Sequence, residues 1–450
     1  MTIALPAQER PVAIHNARIL TMAGEPIDRG VVLIRNGKIQ AVGAEVPIPA
    51  GAKRVDAGGG TIMPGLVSAF SRAGLTEPRG DPDQRRSSRR SFRRSRGSRS
   101  APKASNRAAR KIADQLYSRQ DVFGELAQAG ITTLGLAPRD DGFSGRGAVI
   151  DPTATDAATM VLNDEAFLLI TPVPGSKAKK LVKEALVKAK KLVEERKKPK
   201  PAAAKPAEGD KTEAKDEAAK TEGKPADKPQ DKKPPTDAAK GKGSAPGQGG
   251  PGKGKGKGKP KKDPNIDAIA DALEGKTRAF VDLRSAYRLV HYLKAAGDHQ
   301  FPDTVVVAST LDNNEGRLDE VVKELRGLSE VVLMEAKLTT PAFGRAVECP
   351  AATLVDQGFD VGFLLPDQPS QAREVFFALM ELVRHGLPQA KALAGVTAVP
   401  AQALGVDDRV GTIAAGKDAD LLLFTGPPLD PASRLERVWR RGRAVEEAKR

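Results

Sequence analysis

The chain has 450 residues, 39% of them hydrophobic, and a formal net charge of +16 at pH 7. That length can bury one large core or two ordinary ones. A single cysteine, Cys349, excludes an internal disulfide framework and a cysteine-based zinc cluster.

The charge is local rather than general. Residues 177–262 hold 27 Lys/Arg against 12 Asp/Glu, and "RRSSRRSFRRSRGSR" at 85–99 holds eight Arg and no acid. The remainder is mildly acidic, so any argument for a polyanionic partner rests on those two segments. The opening "MTIALPAQERPVAIHNARIL" lacks a basic start followed by an apolar run, and no stretch is apolar enough for a membrane span. A soluble chain in a reducing, cytoplasmic setting is expected. Cys349, set before Pro350, reads as a small buried apolar residue.

From Val12 to Thr61, short β-rich runs alternate with turn signals, among them "RNGK" at 35–38, where Asn-Gly suits the positive φ angles of a type I′ hairpin turn. Residues 1–63 are therefore expected to form the N-terminal part of a small β-sandwich. After Gly65, strands alternate with helices: "FGELAQAGITTLGLAP", "RAFVDLRSAYRLVHYLKAAGDHQFPDTVVVAS" and "AATLVDQGFDVGFLLPD" repeat that pattern, which predicts a parallel sheet with crossover helices. The spans 64–175 and 263–395 together supply roughly the 250 residues of an eight-fold β/α barrel.

Residues 176–198 predict an amphipathic helix capped by Ser176, with Leu181, Ala185, Ala189 and Leu192 on one stripe beside Val182, Leu186 and Val193. It reads as a surface helix lying on the barrel, with a basic membrane-surface helix as the alternative. From 199 to 262 the composition of Lys, Ala, Pro, Gly, Asp and Glu offers almost nothing to bury, which predicts disorder. Residues 396–450 predict a helix and return strands that complete the β domain. The fold class is thus α/β: a (β/α)8 TIM-like barrel plus a small β-sandwich built from both chain ends.

The chain resembles the amidohydrolase superfamily, metal-dependent hydrolases that include the imidazolonepropionase and dihydroorotase types. The resemblance is carried by "GKIQAVG" and "VDAGGGTIMPGLVSAF" near the start and by "GVTAVPAQALGVDDRVGTIAAGKDADLLLFTGPPLD" and "VWRRGRAV" near the end. It implies hydrolysis of carbon–nitrogen bonds other than peptide bonds, often in cyclic amides. It also implies one or two divalent metals at the barrel mouth, which lower the pKa of a bound water.

The ligand positions depart from that pattern. The His-x-His pair at the end of the first barrel strand falls on Phe70 and Arg72, and the Asp that often precedes it falls on Ser68. A phenyl ring cannot coordinate, and a guanidinium repels a cation. Two further histidine positions fall on Asp282 and Ser309, while the Asp that serves as base and ligand has a counterpart in Asp367. His15, His291, His299 and His385 are placed on the β domain or on crossover helices, away from the mouth. The Gly-Lys repeats at 252–259 lack the strand and the Ser/Thr of a phosphate-binding loop, and "FSGRGAVI" reads as a loop near the mouth.

Three readings follow. The first is a non-catalytic homologue without a cofactor that serves binding or assembly, partnered by an active paralogue or by its own copies. The second is a residual hydrolase holding a divalent metal on Asp282 and Asp367 alone, for which Arg72 and Arg284 compete as ion-pair partners. The third is a polyanion or nucleic-acid binder using Arg85, Arg86, Arg89, Arg90, Arg93, Arg94, Arg96 and Arg99 together with the lysine-rich insert.

Overall fold

Asn36 and Gly37 have φ angles of 51° and 75° in the computed structural model, the left-handed pair a tight hairpin needs. They join β2 (Ile27–Arg35) to β3 (Lys38–Gly43), with Arg35 opposite Lys38. The structure describes residues 10–75, 104–198, 263–309, 317–340 and 344–446. The Arg run at 85–99 and the insert at 199–262, with the expectations attached to them, lie outside the described residues.

The first sheet contains β1 (Val12–Ile19), β2, β3, β4 (Lys53–Asp56) and β5 (Thr61–Pro64) from the start of the chain. From its end come β15 (Leu421–Phe424), β16 (Leu435–Arg440) and β17 (Arg443–Ala444). The spatial order is β17-β16-β15-β5-β1-β2-β3, with β4 beside β1. The two ends meet where β5 and β15 pair antiparallel, Met63 opposite Leu422. Ile14, Ile19, Val32, Ile62, Leu421, Leu423 and Trp439 form its core.

The second sheet runs β14-β13-β12-β11-β10-β9-β8-β6. Its strands are β6 (Leu66–Ser71), β8 (Ile131–Leu136), β9 (Gly142–Ile150), β10 (Val161–Thr171), β11 (Arg278–Asp282), β12 (Thr304–Ala308), β13 (Val331–Glu335) and β14 (Asp360–Leu364). A short β7 (Ser105–Asn106) pairs with β9. The strands from β10 to β14 pair in parallel, as do β6 and β8. Two corrections to the sequence reading follow. "FSGRGAVI" is not a loop but part of β9, and β9 runs antiparallel to both neighbours, so the barrel-like sheet departs from a uniform β/α repeat at that strand.

The sheet is nearly closed. β6 and β14, the ends of the path, lie side by side without sharing a ladder. The backbone between them is satisfied by an intervening segment: Val67 N–H donates to the Val396 carbonyl at 2.9 Å and Phe363 N–H to the Gly395 carbonyl at 2.6 Å. Inside, Val67, Val149, Phe167, Leu169, Phe280, Val305, Val307 and Leu333 pack together. The Phe167 and Phe280 rings stack at 4.0 Å. Gly147 makes room for them, since a Cβ there would lie 2.1 Å from the Phe167 ring. Helix Ala398–Leu404 and the following turn add Ala401, Leu404 and Val406 to the same cluster. That helix therefore packs with the barrel-like sheet rather than with the return strands that follow it.

Helix Ser176–Lys197 buries Val182, Ala185, Leu186, Ala189 and Val193, while Leu181 and Leu192 are only partly buried. The buried face is rotated from the predicted stripe because the helix lies against helices Pro264–Leu273 and Ala286–Ala296. Near its end, Arg196 reaches Asp267, Asp271 and Glu274 at 2.8, 2.9 and 3.0 Å.

A buried ion cluster joins the two sheets. Arg440 on β16, 3% exposed, lies 2.9 Å from Asp151, just beyond β9, and 2.7 Å from Asp420. Asp418 pairs with Arg409 at 2.7 Å. Burial drives the Asp420 carboxyl up, and Arg440 only partly opposes it. The Gly416–Asp420 signature thus builds a structural junction.

Candidate active site

The period-two alternation of β11 to β13 turns one set of side chains inward: Phe280 then Asp282, Val305 and Val307 then Ser309, Leu333 then Glu335. Each series begins apolar, in the packed interior, and ends in a polar group where the strand stops. Those ends, with Ser71 at the end of β6, Arg72 just after it and Asp367 after β14, form the mouth.

Two hydrogen-bonded groups organise it. Asp282 is fully buried. Its Oδ1 accepts from Ser309 Oγ at 2.8 Å and from the Ser309 amide at 3.4 Å, and its Oδ2 pairs with Arg284 Nε at 3.1 Å. Arg284 adopts a φ of 41° to make that contact from two residues away, a backbone region costly for a long side chain. Asp367 accepts from Ser71 Oγ at 2.6 Å and from the Arg72 amide at 3.0 and 3.1 Å. This second group crosses the open seam, so a carboxylate beyond β14 clasps the end of β6.

The expected competition of arginines for these carboxylates is corrected in one respect. Arg284 does pair with Asp282, but Arg72 meets Asp367 through its backbone and not its guanidinium. Among the described residues, no carboxylate oxygen lies within 4.0 Å of the Arg72 guanidinium, and its buried Nε has no hydrogen-bond partner. Its cation lies over the Phe70 ring, 5.4 Å from the centroid. Burial pulls the Arg72 pKa down. Asp282 and Asp367 act against this, while Arg284 and Arg139 add to it.

The mouth opens into a cleft of about 560 Å³ bounded by Phe70, Arg72, Ser309, Glu335, Leu365 and Asp367. Glu335, which the sequence reading missed, is pushed up by burial, with Lys337 pulling the other way. The signal was present: a lone acid closes the apolar run "VVLM" at the phase of Leu333. Ser68 is buried with its hydroxyl unpaired among the described residues.

The donor set does not fit a catalytic metal. Asp282 and Asp367 are both already engaged, the neighbouring Arg72 is a cation, and no group of three His, Cys, Asp or Glu side chains among the described residues could hold an ion. His15 lies on β1, His291 on helix Ala286–Ala296, His299 just beyond it, and His385 directly after helix Val375–Arg384, all outside the mouth. Cys349 is buried, and burial pushes its thiol up.

The family model described as "Amidohydrolase family" matches residues 361–445. Amidohydrolase tasK of Hapsidospora irregularis is 34% identical over 110 residues, which are 24% of this chain and 10% of that protein. A 5-methylthioadenosine/S-adenosylhomocysteine deaminase of Symbiobacterium thermophilum is 37% identical over 79 residues, 17% of this chain and 18% of the deaminase. These matches span under a fifth of either relative's length. The crystal structure of an amidohydrolase from Thermotoga maritima superposes with a TM-score of 0.66 at 19% identity, covering 97% of this chain and all of that one, so the fold is shared. No helix among the described residues is long and apolar enough to cross a membrane.

Proposed function

We propose that this member of the amidohydrolase family, whose relatives include hydrolases and deaminases acting on carbon–nitrogen bonds, has given up metal-dependent hydrolysis and uses the fold for binding or assembly. A homo-oligomer or an active paralogue is the expected partner.

One observation carries the reading: the carboxylates that metal chemistry would need are spent on other contacts. Asp282 is held by Ser309 and Arg284, and Asp367 by Ser71 and the Arg72 amide. A cation entering between them would have to displace hydrogen bonds to charged groups, each worth about 1.5–3 kcal/mol, and would stand beside the Arg72 cation. No imidazole is at hand to make up the difference. The mouth is consistent with a site where direct contacts between protein groups take the place of an ion.

Elemental analysis of protein purified without chelators tests this. The expected result is well under one equivalent of zinc, iron or manganese, with no hydrolysis of cyclic amides. A stoichiometric metal lost in Asp282→Asn or Asp367→Asn would overturn the reading and establish a carboxylate-only metal site.

A further inference from the structure

We infer that the cleft at the barrel mouth is a binding site for a small organic carboxylate, with the Arg72 guanidinium as its anchor. The inference rests on the reading of the mouth as metal-free and adds the chemistry of the ligand.

Arg72 makes no ion pair with a carboxylate among the described residues, and its buried Nε has no hydrogen-bond partner. A guanidinium presents five N–H donors in a planar fork matched to a carboxylate. Other buried or partly buried arginines of this protein have that match: Arg440 meets Asp151 and Asp420, Arg196 meets three acids, and Arg284 meets Asp282. Arg72 has none among the described residues. Removing such a group from water is costly unless an anion compensates it. The Phe70 face 5.4 Å away returns part of that cost.

The surroundings favour a carboxylate on an apolar body over a bare inorganic anion. The cleft volume of about 560 Å³ lies in the range of small-molecule sites. Leu364, Leu365, Pro366, Val375 and Ala378 also line it, surface suited to a hydrocarbon chain or ring. Of the acids in the cleft, Asp367 is already bonded to Ser71 and to the Arg72 amide. Glu335 lines the same cleft, and burial raises its carboxyl pKa. Glu374, which precedes helix Val375–Arg384, also lines the cleft, and Lys337 adds a cation beside Glu335.

The test uses the full-length, chelator-treated protein and calorimetric titration with hexanoate, phenylacetate and inorganic phosphate. Hexanoate and phenylacetate should bind at one site, and phosphate more weakly. Arg72→Gln should weaken carboxylate binding at least about tenfold, and Arg72→Lys, which keeps the charge and loses the fork, should fall in between. Ala378→Trp, on the helix Val375–Arg384 that lines the same cleft, adds bulk there with Arg72 unchanged and should block binding, which guards against an Arg72 variant that fails to fold. Binding that survives both Arg72→Gln and Ala378→Trp belongs elsewhere on this basic chain and overturns the inference. So does phosphate binding tighter than either carboxylate, or no binding by a protein that elemental analysis shows to be metal-free. A stoichiometric metal in the untreated protein overturns the underlying reading instead.

Discussion

Replacing Asp367 by alanine separates a structural clasp from a catalytic remnant. The carboxylate accepts from two donors, Ser71 Oγ at 2.6 Å and the Arg72 amide at 3.0 and 3.1 Å, and these bonds bridge β14 and β6 where no ladder joins them. Hydrogen bonds to a charged group contribute about 1.5–3 kcal/mol each. Because the cleft admits water to the released donors, the lower value applies, and Asp367→Ala should cost about 3 kcal/mol in all. Asp367→Asn keeps one acceptor oxygen and should lose about half as much. Urea unfolding followed by the fluorescence of Trp439, the sole tryptophan and 3% exposed, reads both variants. The midpoint should fall at an unchanged slope. Acids kept for catalysis commonly lower stability, so an alanine variant as stable as the parent, or more so, would refute the clasp.

Three further outcomes are expected. Arg440→Met strips the buried junction of its cation and leaves Asp151 and Asp420 facing each other, at a cost of about 3–5 kcal/mol by urea unfolding; a loss below 1 kcal/mol would mean the cluster is dispensable. Gly147→Ala drives a methyl into the Phe167 ring, which the Phe280 ring backs at 4.0 Å, and should destabilise by about 1–3 kcal/mol; pairing it with Phe167→Leu should recover much of the loss, and no recovery would place the clash elsewhere. Burial raises the Glu335 pKa from its ordinary value of 4.5, so the stability it lends is complete below that value and is lost as pH rises through the folded-state pKa. Glu335→Gln should therefore match the parent near the low end and exceed it at neutral pH in paired thermal melts, and a gap that does not grow with pH would contradict the assignment.

Much of this site could be read before any coordinates. The apolar runs ending in Asp282 and before Ser309 mark strand ends by their period, and strand ends are where a parallel barrel-like sheet gathers its polar groups. The return to β-rich runs at the end of the chain pointed to their joining the N-terminal sheet, where β15 pairs with β5. What could not be read depends on approach between distant segments. The three glycines of "GFSGRG" looked like loop punctuation, yet Gly147 is there because Phe167 from the next strand fills its place. Asp367 and Arg72 were both identified, but no sequence pattern distinguishes an amide donor from a guanidinium donor. Glu335 was passed over because a single acid after an apolar strand is ordinary until its burial is known.

Arg196 and its three acids have a consequence for how the polypeptide can be divided. They fasten helix Ser176–Lys197 to helix Pro264–Leu273 immediately on either side of residues 199–262. A break within that span would leave β1 to β10 on one fragment and β11 to β17 on the other. The fragments would have complementary edges in β10 and β11, which pair from Phe167–Arg278 to Ile170–Val281, and an ionic latch to set their register. The molecule is therefore laid out for reconstitution from two separately made pieces, and the charge of the latch makes that reassembly sensitive to salt where an apolar joint would not be.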